Sequence, residues 1–183
     1  MPSLSSFSSH RARSQLAAPL SDTGTFLGMT AVVLLGDLVS KSMAVEMWSG
    51  QRYPLLGQLV RIDVVHNQLG AFSTSLGAWT WPVNVTLTAL ALLLTFAACP
   101  RLARLDAIAP TALGLIAGGA LGNLTSLVTS PGGVPDFLAI AHGYDGALVL
   151  NVADLAAYLG LACCARLAWS ILRALVASAA GHH

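Results

Sequence analysis

Charged side chains are scarce in this chain. Only 9% of its 183 residues are Asp, Glu, Lys or Arg, whereas an ordinary soluble domain carries about 25%. Apolar residues make up 55%, so the composition excludes an ordinary soluble domain and indicates a membrane protein. The nine basic and eight acidic residues nearly cancel. Because there is also no basic run and no aromatic RNA-binding motif, we expect no nucleic-acid partner.

Cysteine is rare as well, and it offers no pattern for a metal site. Cys99, Cys163 and Cys164 all fall inside apolar segments without ligand spacing to a histidine, so we interpret them as small packing residues. His142 lies among aspartates at irregular spacing, and no helical histidine pair is present. We therefore predict no metal site and no cofactor. Serine is frequent, but the sequence holds no nucleophile elbow.

Four apolar segments are long enough to cross a bilayer, for which a helix needs about 20 residues. They cover residues 26–48, 81–99, 108–128 and 149–177. The third contains glycines 114, 118 and 122 at four-residue intervals, a spacing that lets a neighbouring helix approach closely. We predict an all-α membrane protein, with one four-helix domain at 25–178, a disordered cytoplasmic tail at 1–24, and a tail or tag remnant at 179–183.

The segment after the first span, residues 49–79, is too polar to cross the membrane. Within it, residues 59–64 alternate between apolar and other side chains with a period of two, and residues 53–58 offer a turn and a partner strand. We therefore predict a small β-sheet and a loop at the membrane surface after helix 1. Trp79 and Trp81 follow, placed like an interfacial aromatic belt.

Arginine distribution predicts the orientation of the chain. Six arginines lie on one side of the four-span model and two lie on the other. The six are Arg11, Arg13, Arg101, Arg104, Arg166 and Arg173, and the two are Arg52 and Arg61. Because basic residues favour the cytoplasmic side, we expect both termini in the cytoplasm. Segments 49–79 and 130–150 then share the outer face.

Two carboxylates, Asp136 and Asp154, lie on either side of a short polar loop between the last two spans. In the four-span model they meet at the outer surface of the membrane, where an acid indicates function. Two carboxylates a few ångströms apart in a low-dielectric site cannot both ionise, so one keeps its proton while the other can act as a base. Such a pair can hydrolyse a peptide without a metal.

A structural interpretation of the same two acids stays open. Asp136 follows a proline turn, and Asp154 falls in the first turn of a helix. A negative charge in that first turn is favoured by the helix dipole without any catalytic role.

Five other polar residues could support the pair. Asp37 and Lys41 are four residues apart on the first helix and can form an ion pair, either as a structural lock or as a catalytic aid. Asn67, Asn123 and Asn151 could hydrogen-bond the carboxylates or the substrate backbone, and each could instead cap a helix or satisfy a turn. The cap is the stronger interpretation for Asn151, which opens the fourth span.

Five short motifs, in this order and in a four-span chain, resemble those of bacterial lipoprotein signal peptidase, the signal peptidase II family of aspartyl peptidases. The resemblance covers residues 26 to about 175. It is carried by Asp37 with Lys41, by Asn67 through Phe72, by residues 118–123 (GGALGN), by residues 134–137 (VPDF) and by residues 151–154 (NVAD).

The resemblance implies a function and a site. Asp136 and Asp154 would be the catalytic pair, and the substrate would be a prolipoprotein with a diacylglyceryl-modified cysteine, cut on the amino side of that cysteine. The protein would lie in the bacterial inner membrane, with membrane lipids as further partners and its active site at the outer leaflet. The supporting or substrate-binding positions would be Asn67, Asn123, Asn151, Asp37, Lys41 and Gly122.

This sequence departs from the family pattern at two places. The family motif continues after Asn123 into an Asp-Arg pair, where this chain has Ser126 and Leu127, and Leu69 and Gly70 occupy a Gly-Ala position. The alternative hypothesis is therefore a catalytically impaired paralogue that serves as a lipoprotein-binding or accessory membrane subunit. A transporter with an Asp-Lys relay is a third hypothesis, which four spans without a repeat disfavour.

Overall fold

The described residues form four long helices and one four-stranded sheet. The computed structural model describes residues 5–57, 59–68, 76–142 and 146–180. The helices are α1 (Ser5–Trp48), α2 (Thr80–Leu102), α3 (Ala109–Thr129) and α4 (Val152–Ala180), and a short 3-10 helix (Gly77–Trp79) precedes α2. The strands are β1 (Arg52–Leu56), β2 (Val60–Asn67), β3 (Val134–His142) and β4 (Gly146–Leu150).

All four helices are long and apolar enough to cross a membrane, over residues 22–48, 77–102, 109–129 and 152–173. The predicted fold class is therefore confirmed. Helix α2 continues two residues beyond Pro100, where the sequence analysis ends the span. Pro100 cannot donate to the carbonyl four residues before it and its ring crowds that carbonyl, and the helix ends two residues later.

The two ends of the chain are not fully covered. Helix α1 begins at Ser5, inside the segment predicted as a cytoplasmic tail. Residues 1–4 and 181–183 lie outside the described residues, and the disorder of the tail stays a prediction.

The sheet is antiparallel throughout, with the strand order β1-β2-β3-β4. The predicted hairpin after helix 1 is confirmed by the pairing of β1 with β2, in which Tyr53 lies opposite Ile62. Strands β3 and β4 replace what the sequence analysis treats as a loop at 130–150. Because β3 pairs on both sides and is largely buried at its start, its sequence reads as a continuous apolar run and lacks the alternation of a half-exposed strand. Strand β4 then moves the start of the fourth helix from residue 149 to Val152.

Helix α3 packs against each of the other three helices. The predicted close packing at its glycines is confirmed, because a Cβ atom added at Gly118 would come within 2.6 Å of the Val33 Cβ on α1. A Cβ atom added at Gly122 would collide with the Asp37 carboxylate, also on α1. Gly119 faces α4 in the same way, so that α3 is held tightly between α1 and α4.

An apolar core joins α1, α2 and α3 at the far end from the sheet. Its buried members are Phe26, Leu92, Cys99, Leu113 and Ala117, with Cys164 packed against them. Cys99 and Cys164 therefore act as packing residues, as the sequence analysis predicts.

Candidate active site

A buried ion pair on α1 forms the base of the site. Lys41 Nζ lies 2.6 Å from Asp37 Oδ2, and the two side chains are 4% and 0% exposed. The ion pair predicted from their four-residue spacing is thus present. Removing two charges from water is costly unless further hydrogen bonds satisfy them. Here Lys41 also donates to Asn123 Oδ1 at 2.7 Å, and Asp37 Oδ1 accepts from the backbone N–H of Ala153 at 2.8 Å. The pair therefore ties α1 to both α3 and α4.

The start of α4 is closed by a reciprocal pair of side chains. Asn151 Oδ1 accepts from the backbone N–H of Asp154 at 2.9 Å, and Asp154 Oδ2 accepts from the backbone N–H of Asn151 at 3.1 Å. This is a capping box, in which two otherwise unpaired N–H groups are satisfied by side chains. The cap predicted for Asn151 is present. The other carboxylate oxygen of Asp154, Oδ1, accepts a hydrogen bond from Asn123 Nδ2 at 2.9 Å.

Asp136 lies on β3 and is brought to the same place from the sheet side. Its side chain is 5% exposed, and its Oδ1 accepts from Asn151 Nδ2 at 2.6 Å. The register of the sheet places Val65 opposite Asp136 and Asn67 opposite Val134, so Asn67 falls on the same face of the sheet two positions away. Asn151 therefore contacts both acids, Asp136 through its side chain and Asp154 through its backbone.

The electrostatics of the site act most strongly on Asp136. Burial first, and then the charge of Asp154, raise the pKa of this carboxyl from 3.8 to about 6. Hydrogen bonds from the side chains of Asn151 and Asn67, and the charge of Lys41, oppose the rise in pKa. Asp136 is thus an acid with a pKa of about 6 that lies next to a second carboxylate.

Gly122 and the positions after Asn123 lie beside this network. Gly122 leaves the space that the Asp37 carboxylate fills. Ser126 is buried and donates from Oγ to the Gly122 carbonyl at 3.1 Å. The Leu127 carbonyl accepts from Trp81 Nε1 at 3.2 Å. At these two positions the chain thus offers a hydroxyl bound to its own helix and an apolar side chain.

A cavity of about 460 Å³ adjoins Asp136 on the sheet. It is lined by Val65, His66, Asn67, Gln68 and Asp136 on one side and by residues 147–149 of β4 on the other. The sequence analysis includes Asn67 and Asp136 but misses the other lining residues. His66 is predictable as a lining residue because it stands next to Asn67 in the sequence. The lining residues of β4 are not, because the sequence does not predict a strand there.

The structure brings together all the site residues predicted from the sequence, namely Asp136, Asp154, Asn67, Asn123, Asn151, Asp37, Lys41 and Gly122. Leu69 and Gly70, where the sequence departs from the family pattern, lie outside the described residues. Within the described part of the chain, no group of three or more His, Cys, Asp or Glu side chains is arranged to hold a metal ion. The site consists of two interacting carboxylates held by amides.

Comparison with known proteins supports the resemblance. A family model described as signal peptidase II matches residues 29–170, well over half of the chain. No curated protein matches the sequence. Two solved structures, both described as bacterial membrane enzymes, share the fold. One is 21% identical, with a TM-score of 0.67 over 87% of this chain and 92% of its own. The other is 25% identical, with a TM-score of 0.65 over 83% and 92%. The chain therefore belongs to the signal peptidase II family.

Proposed function

We propose that this protein is a membrane aspartyl endopeptidase that removes signal peptides from diacylglyceryl-modified prolipoproteins, cutting before the lipidated cysteine. Asp136 and Asp154 are the catalytic pair in this proposal. Membership of the family supports lipoprotein signal-peptide processing in general. The observation that carries the proposal is Asn151, whose side chain and backbone hold the two carboxylates in one site from separate elements.

The proposed reaction uses one carboxylate and one carboxylic acid. The ionised carboxylate takes a proton from water while the water oxygen attacks the scissile carbonyl carbon. The protonated acid polarises the carbonyl oxygen, and when the C–N bond breaks the leaving amine takes a proton from the pair. We assign the protonated role to Asp136, because burial and the charge of Asp154 raise its pKa to about 6.

The surroundings of the pair fit this assignment. Asp154 accepts hydrogen bonds on both of its oxygens, from Asn123 and from the backbone of Asn151. Such donors stabilise a negative charge. Asp136 borders the cavity of about 460 Å³, so that a scissile segment lying over the sheet can reach this acid.

We place the protein in the bacterial inner membrane, and the arginine distribution supports an orientation with both termini in the cytoplasm. The C-terminal end of α3, the N-terminal end of α4 and the sheet then lie at the outer leaflet. This is the side on which a lipidated precursor would present its cleavage site.

The test uses purified protein in detergent with a diacylglyceryl-modified prolipoprotein, and intact mass as the readout. We expect a mass loss equal to the signal segment with the wild type, and none with Asp136→Asn or Asp154→Asn. The matched control is Asp63→Asn on β2, an acid in a partly exposed ion pair with Arg52, which should cleave at the wild-type rate. Cleavage that persists in either site variant would refute the assignment.

A second candidate function follows from positions 126 and 127. Ser126 is buried against the Gly122 carbonyl and Leu127 is apolar, so neither offers the acid or the cation of the family motif. The alternative is an accessory subunit that holds a lipidated chain without cutting it. Binding of the precursor by the wild type without any mass loss, unchanged in the double Asn variant, would support this alternative against the peptidase.

A further inference from the structure

The side-chain amide of Asn123 makes hydrogen bonds to three residues, one on α1 and two at the start of α4. Its Oδ1 accepts from Lys41 Nζ at 2.7 Å and from Asn151 Nδ2 at 3.1 Å, and its Nδ2 donates to Asp154 Oδ1 at 2.9 Å. The two ends of an amide are chemically different, since one end only accepts and the other only donates. The orientation of this amide therefore decides whether Asp154 faces a donor or an acceptor.

Lys41 sets this orientation together with Asn151, because both donate to Oδ1, and the charged ammonium is the stronger donor of the two. An ammonium has three donors and no acceptor, so the atom of Asn123 that faces it must be the oxygen. A rotated amide would place its NH2 group against the ammonium and its oxygen against the Asp154 carboxylate. Both contacts would then be repulsive. Because the Lys41 side chain is only 4% exposed, water cannot reach these groups and weaken the repulsion.

Lys41 is itself fixed in place. It is held at 2.6 Å by Asp37, which in turn accepts from the backbone N–H of Ala153 at the start of α4. The absence of a Cβ atom at Gly122 leaves room for the Asp37 carboxylate. With one donor of the ammonium held by Asp37, a second donor is directed at Asn123 Oδ1.

We propose that Lys41 is a positioning residue for the reaction: it orients the Asn123 amide so that Nδ2 donates to Asp154. The inference rests on the proposed function for its catalytic consequence, but not for its structural content. Lys41 touches neither the substrate nor the reacting atoms in this scheme, and it acts on Asp154 through Asn123.

The kinetic test is a double-mutant cycle with Lys41→Met, Asn123→Ala and the combined variant. Each single change should lower kcat by about ten- to a hundredfold, since one oriented hydrogen bond to a charged group is lost. KM should change by less than about twofold, because in this inference both residues act on Asp154 and not on the substrate. The combined variant should have the kcat of Asn123→Ala. Losses that multiply, or an unchanged kcat in Lys41→Met, would overturn the inference.

A second variant separates the loss of the Lys41 contact from a loss of the fold. Lys41→Met alone leaves the Asp37 charge buried without its cation, which is strongly destabilising. The pair Asp37→Asn with Lys41→Met removes both charges, and the asparagine introduced at position 37 keeps an oxygen for the Ala153 N–H. This folded variant should show the same kcat loss, and wild-type kcat in it would refute the role. Arg166→Met, which removes a cation from the ion pair with Asp106, is the matched control and should cleave normally.

An NMR experiment tests the inference independently of whether the protein cleaves a substrate. The chain has four asparagines, so selective ¹⁵N-asparagine labelling in detergent gives four side-chain NH2 pairs, and the pair of Asn123 is identified by its loss in Asn123→Ala. Asp154→Asn adds a fifth NH2 pair. In the wild-type background this change should move the Asn123 resonances, whereas in the Lys41→Met background it should move them less. An equal response in both backgrounds would overturn the inference. Absence of cleavage by the wild type would count against the proposed function alone.

Discussion

Replacing Asp136 by asparagine should make the protein more stable at neutral pH while it removes the proposed activity. The reason lies in the burial of this acid, which raises its pKa from 3.8 to about 6. When the pKa of an acid is higher in the folded state than in the unfolded state, ionisation of that acid destabilises the fold. This destabilisation is absent at a pH below the pKa of the unfolded state. It grows as the pH rises from about 3.8 to about 6, and it is complete above that range.

The magnitude follows from the two values. Each pKa unit corresponds to about 1.4 kcal/mol, so the ionised carboxylate costs about 3 kcal/mol of folding free energy near neutral pH. An asparagine at this position keeps an oxygen for the Asn151 Nδ2 donor. It also turns an NH2 group towards the donors that now stabilise the carboxylate, at a cost of about 1 kcal/mol. We therefore expect a net gain of about 2 kcal/mol.

The assay is thermal unfolding in detergent followed by intrinsic fluorescence, for which the chain has four tryptophans. Asp136→Asn should unfold at a higher temperature than the wild type at about pH 8. The gain should be lost at about pH 4, where only the cost of about 1 kcal/mol for the NH2 group remains. Asp63→Asn, in its partly exposed ion pair, should show no such gain.

Asp154→Asn should instead lose stability, because this carboxylate closes the capping box of α4. A melting temperature of Asp136→Asn at or below that of the wild type at about pH 8 would refute the reasoning.

Three further predictions concern the same network. The kcat/KM of the wild type should fall as the pH rises above about 6, because Asp136 then loses its proton, and a flat initial-rate profile from about pH 5 to 9 would contradict this. Gly122→Ala should lower stability by about 1–3 kcal/mol, since its Cβ would collide with Asp37. Gly36→Ala, which has open space around it, should leave stability unchanged or raise it in the same melting assay. Asn151→Ala should cost about 1–2 kcal/mol by losing the cap of α4 and should also abolish cleavage, so a normal cleavage rate would show that it does not hold the acids.

Local patterns made part of the site predictable. The ion pair of Asp37 and Lys41 and the cap formed by Asn151 both join residues three or four positions apart, and such pairs follow from helix geometry alone. The hairpin of β1 and β2 was visible for a similar reason, because one of its strands alternates in sequence and the turn is short. Strands β3 and β4 were missed, since a buried central strand carries no alternation.

The sequence by itself determined that the chain has four membrane-spanning helices and which acids, amides and glycines are available, because these depend on composition and short-range periodicity. Only the tertiary structure decided what those groups contact. Lys41 reaches Asn123 across 82 residues of chain, and Asp37 reaches the backbone of Ala153 across 116. No sequence period encodes contacts of this range. They arise because glycines on α3 let α1 and α4 pack closely enough for buried polar groups to satisfy one another.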